Sequence, residues 1–253
     1  MNRFFPLVVA VSLICGVRAL AAAPSTQPSR PYLLHLPGIG GECWLDGALL
    51  RGLRQGGLAA DAEIFDWTCR DPGLDSLLAR ARNREQAAKI AEHLAAFAHS
   101  HPATKIYLTS HSGGGGVAVW ALEKLPTDVR IDTLFLIAPA LSPTYDLTGA
   151  LRHVRGRCYV FSSEGDAAVL GVGTRLFGTI DGEKTDAAGR VGFTRPATAD
   201  PSQYAKIVPM PYQSAWMQFN NIGDHIGPMM APFAKAVIAP LLLGQPPMPA
   251  TRP

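Results

Sequence analysis

The stretch that most constrains the fold is Lys105–Leu125, KIYLTSHSGGGGVAVWALEKL. Ile106, Tyr107 and Leu108 read as a short buried strand, and Ser110–Gly116 as a very tight turn with a helix opening within its glycines. Ser112 sits at the apex. A serine on a sharp strand-to-helix turn is held in a strained backbone conformation with its hydroxyl exposed, and the helix passes close to the strand it left. Only small residues fit two positions before and two after, and here these are Ser110 and Gly114. Against the pattern G-x-S-x-G the chain reads Ser110-His111-Ser112-Gly113-Gly114, with serine in place of the first glycine. The competing reading is a glycine-rich turn that merely joins a strand to a helix.

The 253 residues suffice for one sizeable domain. With 47% hydrophobic and 17% charged residues the composition is that of a globular chain rather than a disordered one. Residues 1–23 differ, with a basic MNR start, an apolar run FFPLVVAVSLICGV and an Ala19-Leu20-Ala21 cleavage signature. They are expected to be a secretory signal peptide, cut after Ala21 or at Ala22 or Ala23. The apolar run is shorter than the roughly 20 residues of a membrane span, and Ile14 is too bulky to precede a lipidated Cys15. The expected location is therefore secreted or periplasmic, with membrane contact only through the signal peptide before cleavage. Loss of Arg3 and Arg18 brings the formal charge from +3 to +1, which leaves no basic footprint for nucleic acid.

Cys43, Cys69 and Cys158 remain after cleavage. Cys43 and Cys69 each follow an expected strand and would share one rim of a parallel sheet, so a disulfide between them is expected in an oxidising compartment. Cys158, in an apolar strand, reads as a buried free thiol. No CxxC or His/Cys cluster suggests zinc.

Along the chain, residues 24–31 (PSTQPSRP) are a flexible tether, residues 32–243 the folded domain and residues 244–253 a Pro-rich tail. Expected strands are Tyr32–Leu36, Ala62–Trp67, the central one before Ser112, Asp132–Ala138, Arg157–Ser163 and Lys206–Met210. Expected helices are Trp44–Arg54, Glu85–Ser100, a short one within Leu141–His153, and Met229–Leu242. His93, His99 and His101 read as solvated or capping residues. Leu170–Ala205 is an irregular surface excursion with a short hairpin around Gly189–Phe193. Alternating strands and helices imply parallel pairing, right-handed crossovers and an α/β sheet covered on both faces. Chemistry in such sheets gathers beyond the carboxyl ends of the strands, where Ser112 and the Pro37–Gly41 loop (PGIGG) both fall. That loop fits dinucleotide binding poorly, because Cys43 stands where the third glycine belongs. It is either a loop that frees a backbone N–H toward the site or a plain turn.

A serine hydroxyl needs a base, and the base an orienting acid. After the Arg157 strand the chain reads Ser163-Glu164-Gly165-Asp166, which offers Asp166 as the acid, with Glu164 as fallback. Of seven histidines only His153 and His225 follow the serine, and His153 precedes the acid strand. His225, in Asn221-Ile222-Gly223-Asp224-His225, is the base, and Asp224 a turn residue. In this order PGIGG, SHSGG, SEGD and GDH resemble the α/β-hydrolase superfamily over roughly Tyr32 to Leu242.

The resemblance implies an α/β-hydrolase fold with a mostly parallel central sheet of about eight strands, helices on both faces, no cofactor and no metal. It also implies backbone N–H groups of Ile39 and Gly113 as the oxyanion hole. No long insertion separates the strands at 132–138 and 157–163, so no large cap domain is expected. The site is then open, or roofed by the 170–205 excursion. Trp44 either lines an acyl pocket or belongs to the core. The function expected is a serine hydrolase acting on a small-molecule or lipid carboxylic ester or thioester. An acyltransferase or lipase-like enzyme, and a non-catalytic binding protein of the same fold, are the alternatives.

Overall fold

The computed structural model describes residues 30–166 and 178–249. The expected signal peptide, nearly all of the tether, residues 170–177 of the excursion and the last four residues of the tail lie outside them.

Six strands form one sheet: β1 (Tyr32–Leu36), β2 (Asp61–Ile64), β3 (Ile106–His111), β4 (Thr133–Ile137), β5 (Cys158–Ser162) and β6 (Ile207–Pro211). Their order is β2-β1-β3-β4-β5-β6, and every pairing is parallel. The sheet is thus a wholly parallel α/β arrangement with six strands among the described residues, fewer than the eight or so implied by the resemblance. The central strands are apolar throughout because both faces are covered. Within β4, Leu134 and Leu136 enter one core and Phe135 and Ile137 the other. The edge strand β6 carries Pro209 and Pro211, which lack the N–H an inner strand must donate on both sides.

One face is covered by α3 (Arg80–Ser100), α4 (Gly113–Glu123) and the single turn α5 (Thr148–Leu151). The other is covered by α1 (Trp44–Gln55) and a closing helix over residues 231–242. The closing helix is wound wider over Ala234–Ile238, just before Pro240. Pro240 cannot donate to the Ala236 carbonyl, and the Met248 N–H from the returning tail does so instead at 2.8 Å.

Several elements depart from expectation. Helix α3 begins at Arg80 rather than Glu85, because its buried face starts with Asn83 and Gln86, which hide the apolar period. Asn83 Nδ2 donates to the Ser76 carbonyl at 2.6 Å in the short helix α2 (Leu74–Leu78). No hairpin forms around Gly189. A helical turn, α6 (Ala188–Val191), is held there by N–H bonds from Ala188 to Leu141 and from Gly189 to Pro139, both 2.8 Å. A second helical turn, α7 (Pro201–Tyr204), leads into β6. Cys43 and Cys69 do not bridge and are exposed free thiols. Cys43 caps α1 and its N–H donates to Asp46 at 2.7 Å, while the Cys69 thiol turns back to the Trp67 carbonyl at 3.7 Å. Cys158 is a buried free thiol, as expected.

The sheet order fixes where a site can form. From β1 the chain crosses outward to β2, and from β3 it crosses the opposite way to β4. The connections leaving β1 and β3 therefore diverge and open a crevice between these strands.

Candidate active site

Both expected loops lie at that crevice. Strand β3 ends at His111, and Ser112 follows with φ 53° and ψ −123°, a left-handed region costly for a residue with a Cβ. The strain is held by neighbours: the Ser112 N–H donates to the Ile137 carbonyl at 2.9 Å. The Ser112 carbonyl accepts from Gly115 and Ala140, both at 3.0 Å. A Cβ at Gly114 would stand 2.4 Å from the Pro37 carbonyl oxygen, so only glycine lets α4 run this close to β1. Ser110 is tolerated in place of the expected glycine because its hydroxyl donates to the Phe135 carbonyl at 3.1 Å.

The 37–41 loop is fastened from outside. The Trp67 indole N–H donates to the Pro37 carbonyl at 2.7 Å, and the Gly73 N–H to the Ile39 carbonyl at 2.6 Å. The Ile39 side chain lies against Gly113, where an added Cβ would meet its Cγ2 at 2.7 Å. Neither the Ile39 nor the Gly113 N–H donates to another group among the described residues. Beneath the loop, the fully buried His35 ring bridges Thr109 Oγ1 at 2.9 Å and Asp46 Oδ1 at 2.8 Å, which ties β1 and β3 to α1.

Asp166 follows β5 and is buried, 3% exposed, whereas Glu164 faces solvent. Asp166 Oδ2 lies 2.5 Å from His225 Nδ1. A carboxylate accepts, so Nδ1 carries a proton, and in the neutral ring the lone pair is on Nε2. Ser163 joins the two loops: its hydroxyl donates to the Gly223 carbonyl at 2.5 Å and its carbonyl accepts from the Asp166 N–H at 3.1 Å. Asp224 points elsewhere and accepts from the Gly227 N–H at 2.7 Å, as a turn residue does.

His111 links the serine to the histidine loop. Its Nε2 donates to the His225 carbonyl at 3.0 Å, and the two rings pack with centroids 4.7 Å apart. Burial, then the neighbouring His225, holds the His111 pKa down to about 3, so the ring is neutral at ordinary pH. The structure thus joins Asp166 to His225 directly. Ser112 follows His111, whose ring contacts His225, and among the described residues no hydrogen bond links the Ser112 hydroxyl to His225. In unliganded sites such bonds are often long and tighten when substrate arrives.

Three residues here are not apparent from the sequence pattern. His111 could have been singled out as the side chain between the two motif serines. Trp67 and Ser163 carry no signal beyond standing at the ends of strands. Trp44 is neither core nor buried pocket wall: it is 63% exposed at the start of α1.

No known family's sequence pattern matches the chain, and no curated protein is detectably similar in sequence. Among solved structures it is similar to Est1E from Butyrivibrio proteoclasticus, at 14% identity over 87% of this chain and 90% of that one, with a TM-score of 0.46. A Bacillus licheniformis lipase, BlEst2 in its mature form, is 15% identical over 87% and 96%, with a TM-score of 0.46. A cutinase-like protein from Cryptococcus sp. is 13% identical over 88% and 100%, with a TM-score of 0.41. The fold is defined by the chain's own strand order and elbow rather than by likenesses at this level.

Proposed function

We propose that this protein is a secreted serine hydrolase that cleaves a carboxylic ester or thioester through an acyl-enzyme on Ser112. The observation that carries the reading is the 2.5 Å Asp166–His225 hydrogen bond beside a serine held at φ 53°. Ser112 Oγ attacks the substrate carbonyl carbon and its proton passes to His225 Nε2. Asp166 keeps the proton on Nδ1 and stabilises the imidazolium. The N–H groups of Ile39 and Gly113 receive the oxyanion, each such donor being typically worth about 3 kcal/mol. The carbon–oxygen (or carbon–sulfur) bond then breaks, and His225 returns the proton to the departing alcohol or thiol. Water, deprotonated by His225, attacks the acyl carbon and regenerates Ser112. Residues 1–23 would direct export and be removed.

Hydrolysis of an aryl acetate by the wild type and by Ser112→Ala tests the chemistry. The expected result is loss of turnover in the variant, and equal rates would remove Ser112 from the mechanism. The N-terminal sequence of protein recovered outside the cytoplasm tests export, with a start at Ala22, Ala23 or Pro24 expected.

A further inference from the structure

Helix α1 buries one stripe against the sheet, with Leu49 and Leu53 on it and Asp46 at its head. A carboxylate is an unusual residue for that place: Asp46 is 1% exposed and its partner His35 is wholly buried. Burying such a pair is costly, and apolar residues of similar size often give equal or better stability. Stability alone therefore does not account for the pair, and its connections point to another role. Asp46 Oδ1 lies 2.8 Å from His35 Nε2, and Asp46 Oδ2 accepts the Cys43 N–H at 2.7 Å. Burial would raise the Asp46 pKa, but the hydrogen bonds from His35 and Cys43 hold it below the usual carboxylate range, so both oxygens accept. His35 and Cys43 stand at the two ends of the glycine-rich loop. Within the loop the Gly41 N–H closes on the Gly38 carbonyl at 3.1 Å, which puts Ile39 in the turn. The other His35 nitrogen, Nδ1, lies 2.9 Å from Thr109 Oγ1 on β3, the strand that runs into Ser112.

We propose that Asp46 and His35 are positioning residues that clamp both ends of the 37–41 loop and fix it against the strand carrying Ser112, so that the Ile39 N–H is held where the oxyanion forms. The inference rests on the ester-hydrolase reading and deepens it by adding two residues to its machinery. One carboxylate gripping both ends sets the span of the loop, and the imidazole sets its place over β3. Trp67 and Gly73 fasten the loop's carbonyls from outside, on the segment after β2. The clamp fastens its ends from beneath, to α1 and β3. An oxyanion donor acts only within about 2.7–3.1 Å of the oxygen, and a misplacement of about 1 Å can cost about 10²-fold in rate. The substrate oxygen reaches that position as the transition state forms, so slack in the loop falls on kcat rather than on KM.

The test compares kcat and KM for an aryl acetate and for its thionoacetate, in which sulfur replaces the carbonyl oxygen. Sulfur is larger and a weaker acceptor, so a well-placed oxyanion donor favours the oxygen ester. A variant that merely unfolds a fraction of the molecules slows both substrates equally and leaves their ratio unchanged. Asp46→Ala frees both ends of the loop. Its kcat for the aryl acetate is expected to fall about 10²-fold with KM within about threefold, and the preference for oxygen over sulfur to shrink about tenfold. Asp46→Asn keeps one accepting oxygen and is expected to fall between the alanine variant and wild type. Because Asp46→Ala strands a buried histidine, His35→Met combined with Asp46→Leu serves as the second variant. It is apolar on both sides, so it is expected to melt cooperatively near the wild-type temperature, yet to show the same losses of kcat and of preference. An unchanged preference in a folded variant, or kcat restored along with stability in the double variant, would overturn the proposal. Failure of the ester-hydrolase reading appears separately, as absent turnover of the aryl acetate by the wild type.

Discussion

Asp166 and His225 are 59 residues apart in the chain and share one short hydrogen bond, and that bond decides which histidine nitrogen is free. Asp166→Asn keeps the shape but donates where the carboxylate accepted, and so favours the wrong tautomer. By analogy with serine triads, kcat is expected to fall by about 10⁴-fold with little change in KM. Steady-state kinetics on an aryl acetate checks this, and a fall in KM alone would contradict it. His111 makes a second argument at this scale. Its pKa is depressed from 6.5 to about 3, so the unfolded chain binds a proton that the native state refuses. Stability is therefore full above about pH 6.5 and is lost as pH falls toward 3. His111→Gln retains a donor for the His225 carbonyl and removes the titration. Thermal melts of the variant should lose less stability than wild type over that window, and parallel acid limbs would contradict the assignment.

At the scale of elements, the elbow and the 37–41 loop form one unit. Gly114→Ala sets a methyl against backbone carbonyls that cannot swing aside, 2.4 and 2.7 Å away. Overpacking of this kind is expected to cost about 1–3 kcal/mol, read as a lower Tm together with loss of activity. Trp67→Phe keeps a ring behind Gly113 but leaves the Pro37 carbonyl without its donor. It is expected to lower kcat more than it raises KM, because in the proposed mechanism the loop it fastens would present the Ile39 N–H to the oxyanion. An unchanged kcat would detach Trp67 from the loop's function. The strand–turn–helix, the place of the PGIGG loop beside it and the pairing of Asp166 with His225 were legible in the sequence, since each depends on local residue size or on position relative to a strand. His111, Trp67 and Ser163 were not, because their roles are hydrogen bonds to carbonyls distant in the chain. The helical turn at Ala188 was hidden for a related reason: a Gly-containing stretch has weak local preference, and partners at Pro139 and Leu141 decide its shape.

At the scale of the molecule, strand order explains why these loops meet: the chain reverses its direction of travel across the sheet between β1 and β3. Parallel topology and the six strands were readable from the alternation of elements, whereas the eight or so strands came only from the resemblance and the fate of Cys43 and Cys69 was not readable. Cys43 and Cys69 share a rim, but each is oriented by its own turn. In the processed chain two thiols are expected to react with Ellman's reagent in the native state. The third, Cys158, buried and pushed up to about 12, should react only on unfolding. A single native thiol equivalent or none, restored by reductant, would revive the bridge. The central claim is that Ser112 attacks with His225 as its base. Its most direct measurement is intact-mass and peptide analysis after exposure to a fluorophosphonate. One adduct per chain on Ser112 is expected, none in Ser112→Ala and much slower labelling in His225→Ala. An unlabelled wild type, or an adduct formed equally fast without His225, would contradict it.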